Sequence, residues 1–233
     1  MKKFAVAVFG VLLIFGLAAG EAKATLYNLQ YLVNGWNGPE AIWVTANFQQ
    51  DGDNTVTLTI TGAGLTSGLY LDQLAFNVSS SYATSTNPLT IRETSRSGTF
   101  GVVDIQPPDG STTTPFHQIT SQNTQTVAGS GSFGTGFDVL LDFPSAGADR
   151  FNGSDSVVFT LTATGLLESD FNFLNTANTA HVGAHIAGFP PDSQTPPMTS
   201  AYVSDVPIPA AAWLFGSGLL GLVVVRRRFR SRR

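Results

Sequence analysis

Two histidines near the end of the chain have a spacing that could bind a metal ion. His181 and His185 are four residues apart, and on a helix this spacing would place both imidazoles on one face, as in many zinc sites. Apolar residues alternate with them, however, which predicts a strand with both histidines on one solvent-facing side. His117 could add a third ligand only through tertiary structure. The pattern therefore favours surface histidines over a metal site.

A second group of polar residues has the composition of a calcium loop. Asp51, Asp53 and Asn54 surround Gly52, and Ca²⁺ takes six to eight oxygen ligands. The terminal glutamate of the twelve-residue calcium loop is missing. An Asp-Gly turn between two strands explains the same residues. The sequence favours the turn and leaves calcium as a weak alternative.

One pair of carboxylates could do acid–base chemistry. Asp138 and Asp142 are four residues apart on a predicted strand and so share a face, and paired carboxylates hydrolyse glycosidic bonds. An exposed acidic face is the simpler interpretation. The chain has no cysteine, no Gly-x-Ser-x-Gly elbow and no phosphate-binding glycine loop. We therefore predict no catalytic residue, no enzymatic activity and no cofactor.

Two tryptophans are candidates for contact with sugar rings. Trp36 and Trp43 could stack on a sugar, although packing in the core is the favoured interpretation of such residues. Trp36 is flanked by Asn-Gly and Asn-Gly, which is typical of a loop. Trp36 is therefore the better candidate for a glycan contact.

The elements that must position these residues are strands. Threonine alternates with Val, Leu and Ile over residues 55–61, and further strand patterns cover 41–48, 69–78, 136–143, 155–165 and 180–189. Residues 106–126 are polar and proline-bearing, which predicts a long loop or an irregular strand pair, and residues 190–200 are a second such loop. The sequence predicts an all-β fold, an antiparallel β-sandwich with a jelly-roll-like arrangement, over residues 25–205.

The charge of this predicted domain excludes one class of partner. Residues 25–205 hold three basic side chains against fifteen acidic ones, a balance of −12. Such a surface repels phosphate backbones, so we expect no nucleic-acid binding.

The N-terminus has the three parts of an export signal. Lys2 and Lys3 precede an apolar run over residues 4–19, and Ala22 and Ala24 form the small–x–small pattern of a cleavage site. We predict that residues 1–24 are a signal peptide and that signal peptidase cuts after Ala24. An uncleaved membrane anchor is the alternative.

The C-terminus predicts a membrane segment that stops translocation. Residues 210–225 carry no charge, and a helix of that length reaches roughly 24 Å, somewhat short of the ~30 Å hydrocarbon core. Arginines follow it, beginning with Arg226, Arg227 and Arg228, and by the positive-inside rule this tail stays cytoplasmic. An ordinary single-pass anchor in the inner membrane is one interpretation.

The residues before this helix favour another interpretation. Val206, Pro207, Ile208, Pro209 and Ala210 hold the chain extended, because the prolines lack backbone donors. Together with the apolar helix and the arginines, residues 206–233 resemble the PEP-CTERM class of bacterial sorting signals, in the variant that reads Val-Pro-Leu-Pro-Ala. The resemblance implies processing by an exosortase, a membrane-embedded transpeptidase-like enzyme, and an association with exopolysaccharide and biofilm.

These features together predict an exported protein that passes through the inner membrane with a transient anchor. We expect it at the cell surface or in the extracellular matrix, as a non-enzymatic structural or polysaccharide-binding module. The alternative is an extracellular glycan hydrolase that uses carboxylates of the acidic face.

Overall fold

The computed structural model describes residues 23–32, 41–66, 68–106, 116–128, 134–189 and 200–205. Alternation of threonine with aliphatic residues produces its central strands. In the segment 55–61 the residues Val56, Leu58 and Ile60 are buried while the threonines between them are half-buried. A strand with this period buries one face and leaves the other near water.

Fourteen strands form within the described ranges, with two short 3-10 turns at Gly147–Asp149 and Glu168–Phe171. The strands are β1 Ala24–Leu29, β2 Tyr31–Leu32, β3 Val44–Gln50, β4 Thr55–Thr61, β5 Tyr70–Phe76, β6 Leu89–Ser97, β7 Asp104–Gln106, β8 Phe116–Ile119, β9 Gln125–Thr126, β10 Thr135–Phe137, β11 Val139–Asp142, β12 Ser156–Thr162, β13 Val182–Ala187 and β14 Ser200–Ser204. The prediction of an all-β, antiparallel fold is confirmed.

The strands form two six-stranded sheets and a small two-stranded one. Sheet 1 has the order β1-β3-β4-β12-β6-β8, and sheet 2 has the order β2-β14-β13-β5-β11-β7. The pairing is nested along the chain: β4 pairs with β12, β5 with β11, and β6 with β8. Strands β9 and β10 form the third sheet. Phe137 of β10 and Val127, which follows β9, join a small apolar cluster with Ala75 and Leu140 of sheet 2.

The core lies between the two large sheets. Phe48 of sheet 1 stacks on Phe171 with ring centroids 4.5 Å apart, and it meets the edge of Phe76 of sheet 2 at 5.3 Å. All three rings are fully buried. Sheets that face each other across such interdigitated side chains form a sandwich.

The two predicted terminal segments lie almost entirely outside the described residues. Ala24, the last residue of the predicted signal peptide, is the first residue of β1 and stands opposite Gln49. The predicted helix at 210–225, and the arginines after it, are not described. Among the residues that are, the structure has no helix of the length and apolarity that a membrane crossing requires.

Candidate functional site

The two candidate metal ligands pair with aspartates instead of facing solvent. His185 is only 8% exposed, and its Nδ1 lies 2.8 Å from Asp72 Oδ2. His181 Nδ1 lies 2.6 Å from Asp205 Oδ2. The prediction of solvent-facing histidines was therefore wrong. The reason is an irregularity in the β5–β13 pairing, where Asp72 has no partner on β13 and its carboxylate reaches His185.

The pair of His181 and Asp205 fastens the last strand of the domain. Asp205 Oδ1 accepts hydrogen bonds from the backbone N–H groups of His181 and Val182, at 2.9 and 2.8 Å. The ring of Tyr27 packs on the His181 ring at 5.4 Å. Burial, and then the charge of Asp205, raise the pKa of Tyr27 well above its usual value. We call His181, Asp205 and Tyr27 the clasp. Both carboxylate oxygens of Asp205 have hydrogen-bond partners, which indicates a structural role.

The two carboxylates proposed as a catalytic pair have separate environments. Asp138 is 3% exposed and accepts hydrogen bonds from the backbone N–H groups of Val78 at 2.9 Å and Asn123 at 2.7 Å. Burial raises its pKa, and these two hydrogen bonds oppose the shift. The interpretation of Asp138 as part of an exposed acidic face was wrong, because Asp138, which lies between β10 and β11, is buried and bridges the backbone at Val78 to the backbone at Asn123.

Asp142 belongs to a polar row across sheet 2. It stands opposite Asp104 on one side and Gln73 on the other, and Gln73 in turn stands opposite His185. Gln73 Nε2 donates to Asp142 Oδ1 at 3.2 Å. Burial raises the pKa of Asp142, and the charges of Asp72 and Asp104 raise it further. The row combines the half-buried Asp104, Asp142 and Gln73 with the buried His185, and Asp138 shares none of these contacts.

The candidate calcium residues form the β3–β4 turn. Asp51 Oδ2 accepts from Thr57 Oγ1 at 3.3 Å, and Asn54 Oδ1 accepts from the backbone N–H of Gly165. Asn54 has a left-handed backbone with φ of 66°, a conformation that asparagine tolerates in turns. Asp53 is exposed in the same turn. Within the part of the chain that the structure describes, no three His, Asp or Glu side chains are grouped to hold a metal ion.

Of the two candidate aromatic contacts, one is a core residue. Trp43 is 7% exposed and meets the edge of Phe189 with ring centroids 5.9 Å apart. Trp36 lies outside the described residues, as do Val206, Pro207, Ile208, Pro209 and Ala210 of the sorting motif. These predictions therefore stay predictions.

A groove that the sequence did not indicate lies at one end of the sandwich. Its volume is about 500 Å³. Two connections form its walls: residues 62–66 and 68–69 between β4 and β5, and residues 143–155 between β11 and β12. We call it the end groove, and its lining includes Leu65, Tyr70, Arg150, Asn152 and Ser154.

Close backbone contacts hold the two walls of the end groove together. The N–H of Leu71 donates to the carbonyl of Phe151 at 2.9 Å, and the N–H of Gly62 donates to that of Asp155 at 3.2 Å. A Cβ atom on Gly153 would lie 2.1 Å from the carbonyl oxygen of Leu65, so only glycine permits this approach. The groove is therefore formed by the fold itself, before any ligand arrives.

The end groove combines a cation, an aromatic ring and neutral polar groups. The guanidinium carbon of Arg150 lies 4.2 Å from the centroid of the Tyr70 ring, a cation–π contact. Arg150 Nε donates to the carbonyl of Ser145 at 2.8 Å. Asn152 Oδ1 accepts from the N–H and the hydroxyl of Ser154. Such a set can bind a hydroxyl-rich ligand through hydrogen bonds.

Sequence reasoning missed this site because its residues are far apart along the chain. Tyr70 begins β5, whereas Arg150 precedes β12. The sequence offered one signal for this site, the small number of basic residues: Arg150 is one of three Lys or Arg residues between positions 25 and 205.

In the comparisons with known proteins, no family model, no curated protein and no solved structure matches this chain.

Proposed function

We propose that this chain is an exported, non-enzymatic protein of the cell surface or extracellular matrix, and that its β-sandwich binds glycan. The observation that carries the proposal is the end groove, where Tyr70, Arg150, Asn152 and Ser154 line one preformed depression. The nested strand pairing supports the jelly-roll-like architecture, in which the connections at the ends of the sheets are available for binding.

The chemistry of the groove suits sugars better than it suits apolar ligands. Its walls offer amide and hydroxyl groups, exposed glycine backbone and a partly exposed tyrosine ring. Sugars present alternating hydroxyl groups and C–H faces, which such a surface can match through hydrogen bonds and ring contact. The groove is also open to solvent at Asn152 and Ser154, as a polymer would require.

The position of the clasp supports the sorting part of the proposal. Asp205 is buried and fastened to His181 and Val182, and the predicted motif begins at the next residue, Val206. An enzyme at the membrane surface would therefore find its cleavage motif where the folded domain stops. In this proposal signal peptidase removes residues 1–24, an exosortase reads residues 206–233, and the inner membrane holds the chain only transiently.

The alternative function is a glycan hydrolase, and one observation favours it. Asp104 and Asp142 stand directly opposite each other on neighbouring strands, and directly opposed side chains have Cβ atoms about 5 Å apart. Burial and neighbouring charges raise the pKa of Asp142, as a general acid requires. The described cavities do not include this pair in their lining, which is why we prefer the binding function.

Two measurements on the protein from its own host test the proposal. Intact mass should show loss of residues 1–24 and of the tail from about Pro207, and a strain without the exosortase should retain the tail in the inner membrane. Retention of the arginine tail in the wild-type strain would contradict sorting and indicate a plain membrane anchor.

The binding function needs a separate assay. The purified protein should bind the host's exopolysaccharide without releasing reducing ends over hours of incubation. Tyr70→Ala should weaken binding roughly tenfold, since aromatic and hydrogen-bond contacts to a ligand contribute on the order of 1.4 kcal/mol, whereas Asp142→Asn should leave it unchanged. Release of reducing ends that Asp142→Asn abolishes would favour the hydrolase instead.

A further inference from the structure

We propose that the end groove selects a sugar that carries a carboxylate, and that Arg150 is the residue that binds this carboxylate. The inference rests on the proposed glycan-binding function and names the class of ligand that the groove takes. It starts from the single positive charge in a groove whose other lining groups are neutral.

Arg150 has no acidic partner within the domain as described. Among the residues of the described ranges, none of the ion pairs includes Arg150. Arg96 shows the contrast, because it makes two hydrogen bonds to the Glu93 carboxylate. An arginine that forms no ion pair with any acidic residue of the described ranges has its charge available for a ligand.

The guanidinium group of Arg150 is also held in place. Its central carbon lies over the Tyr70 ring, 4.2 Å from the ring centroid, and its Nε donates to the carbonyl of Ser145. Both terminal nitrogens are without hydrogen-bond partners among the described residues. Two parallel N–H donors on a fixed plane match the two oxygens of a carboxylate, and fixing them beforehand reduces the entropy lost on binding.

The rest of the domain limits how many charges the ligand can carry. With a balance of −12 over residues 25–205, the surface repels a densely charged polymer. One cation in a neutral groove therefore fits a glycan in which acidic sugars are sparse and separated by neutral ones. Asn152 and Ser154, which line the same groove, can bind hydroxyl groups of the neighbouring sugars.

The test compares two sugars that differ in one group. The probes are a tetrasaccharide of three neutral sugars and one glucuronic acid, and the same compound with its carboxyl group reduced to the alcohol. Calorimetry with the processed protein should show roughly tenfold tighter binding of the acid, the size expected for one charge-assisted bidentate contact. Because both probes meet the same unmodified protein, this comparison does not depend on whether any variant folds.

Variants then assign the selectivity to Arg150. Arg150→Gln should lower the affinity for the acid to that of the reduced sugar, and Arg150→Lys should retain part of the difference. Arg92→Gln is the matched control, because Arg92 is another basic residue of the domain, exposed on β6 and outside the groove lining. It should keep the full preference for the acid.

The outcomes separate this inference from the function on which it rests. Equal binding of the two sugars by the unmodified protein, unaltered by Arg150→Gln, would overturn the carboxylate proposal and leave glycan binding intact. A preference for the acid that survives Arg150→Gln would also overturn it. Binding of neither sugar, nor of the host polysaccharide, would overturn glycan binding by this domain.

Discussion

Removal of the Asp205 carboxylate should lower the free energy of unfolding, and the contacts of the clasp determine the size of the loss. Asp205→Ala leaves two backbone N–H groups, those of His181 and Val182, without their acceptor. Val182 is fully buried and the His181 side chain is 16% exposed. An unsatisfied buried donor costs about 1–3 kcal/mol, and water can partly solvate the one at His181. We therefore expect a loss of about 3 kcal/mol in the free energy of unfolding.

Asp205→Asn separates the backbone contacts from the charge. Its side-chain oxygen can still accept from both N–H groups, while the charged contact to His181 becomes a neutral one. The expected loss is about 1 kcal/mol, the difference between a charge-assisted and a neutral hydrogen bond. The gap of about 2 kcal/mol between the two variants measures what asparagine keeps and alanine loses, which is the two backbone hydrogen bonds and a neutral contact to His181.

Urea unfolding of the processed protein is the assay, with thermal unfolding as a second measurement. For a domain of this size 1 kcal/mol shifts Tm by about 2–4 °C, so the alanine variant should melt about 6–12 °C lower. Asp149→Ala is the control, because Asp149 is exposed and its side chain makes none of the described hydrogen bonds. Equal losses for the alanine and asparagine variants, or a loss below about 0.5 kcal/mol for alanine, would refute the role given to the clasp.

Three further predictions follow from other contacts. Burial and then neighbouring carboxylates such as Asp104 raise the pKa of Asp142 above 3.8, so ionisation of Asp142 lowers the free energy of unfolding as the pH rises from about 4. Asp142→Asn should therefore stabilise the protein by about 0.5 kcal/mol at pH 7 and not at pH 3. Urea unfolding that shows the same effect at both pH values would contradict this. Gly153→Ala should place a Cβ atom against the Leu65 carbonyl and lower stability by about 1–3 kcal/mol together with glycan affinity; unchanged binding in calorimetry would show that the walls are not coupled to the site. Phe48→Ala should cost about 3–5 kcal/mol because the ring is fully buried, whereas Phe48→Leu should cost less; thermal melts that rank them in the opposite order would argue against the ring cluster.

Sequence reasoning located the strands whose burial is one-sided. In β4 the alternating pattern extends over the whole strand, and the predicted and observed limits agree at residues 55–61. Strand β13 was predicted within residues 180–189 from the alternation of Val182, Ala184 and Ile186 with the histidines, but the prediction of one solvent-facing side was wrong, because all six residues of β13 are buried. The cause is tertiary: β5 and β14 flank it, and Tyr202 of β14 lies in the second apolar cluster with Ala180.

The side-chain partners of the sites could not be predicted in the same way. His185 and Asp72 are 113 positions apart and meet because an irregularity in the pairing leaves Asp72 without an opposite residue. Tyr70 and Arg150 meet because two connections close over one end of the sandwich. Such contacts depend on sheet register and loop packing, which local periodicity does not encode.

The nested pairing of the strands has a consequence for the order in which the chain can fold. Strand β4 lies between β3, its neighbour along the chain, and β12, roughly one hundred residues further on, and pairing over such separations is slow. A chain that is delivered from its N-terminus through a pore can form the β3–β4 hairpin early, yet sheet 1 stays open at β4 until β12 has emerged. Sheet 2 waits longer still, for β14 and Asp205. Under the export proposed above, the sandwich would be complete only after the chain has been delivered as far as residue 205, and the folded domain would then be unable to slide back.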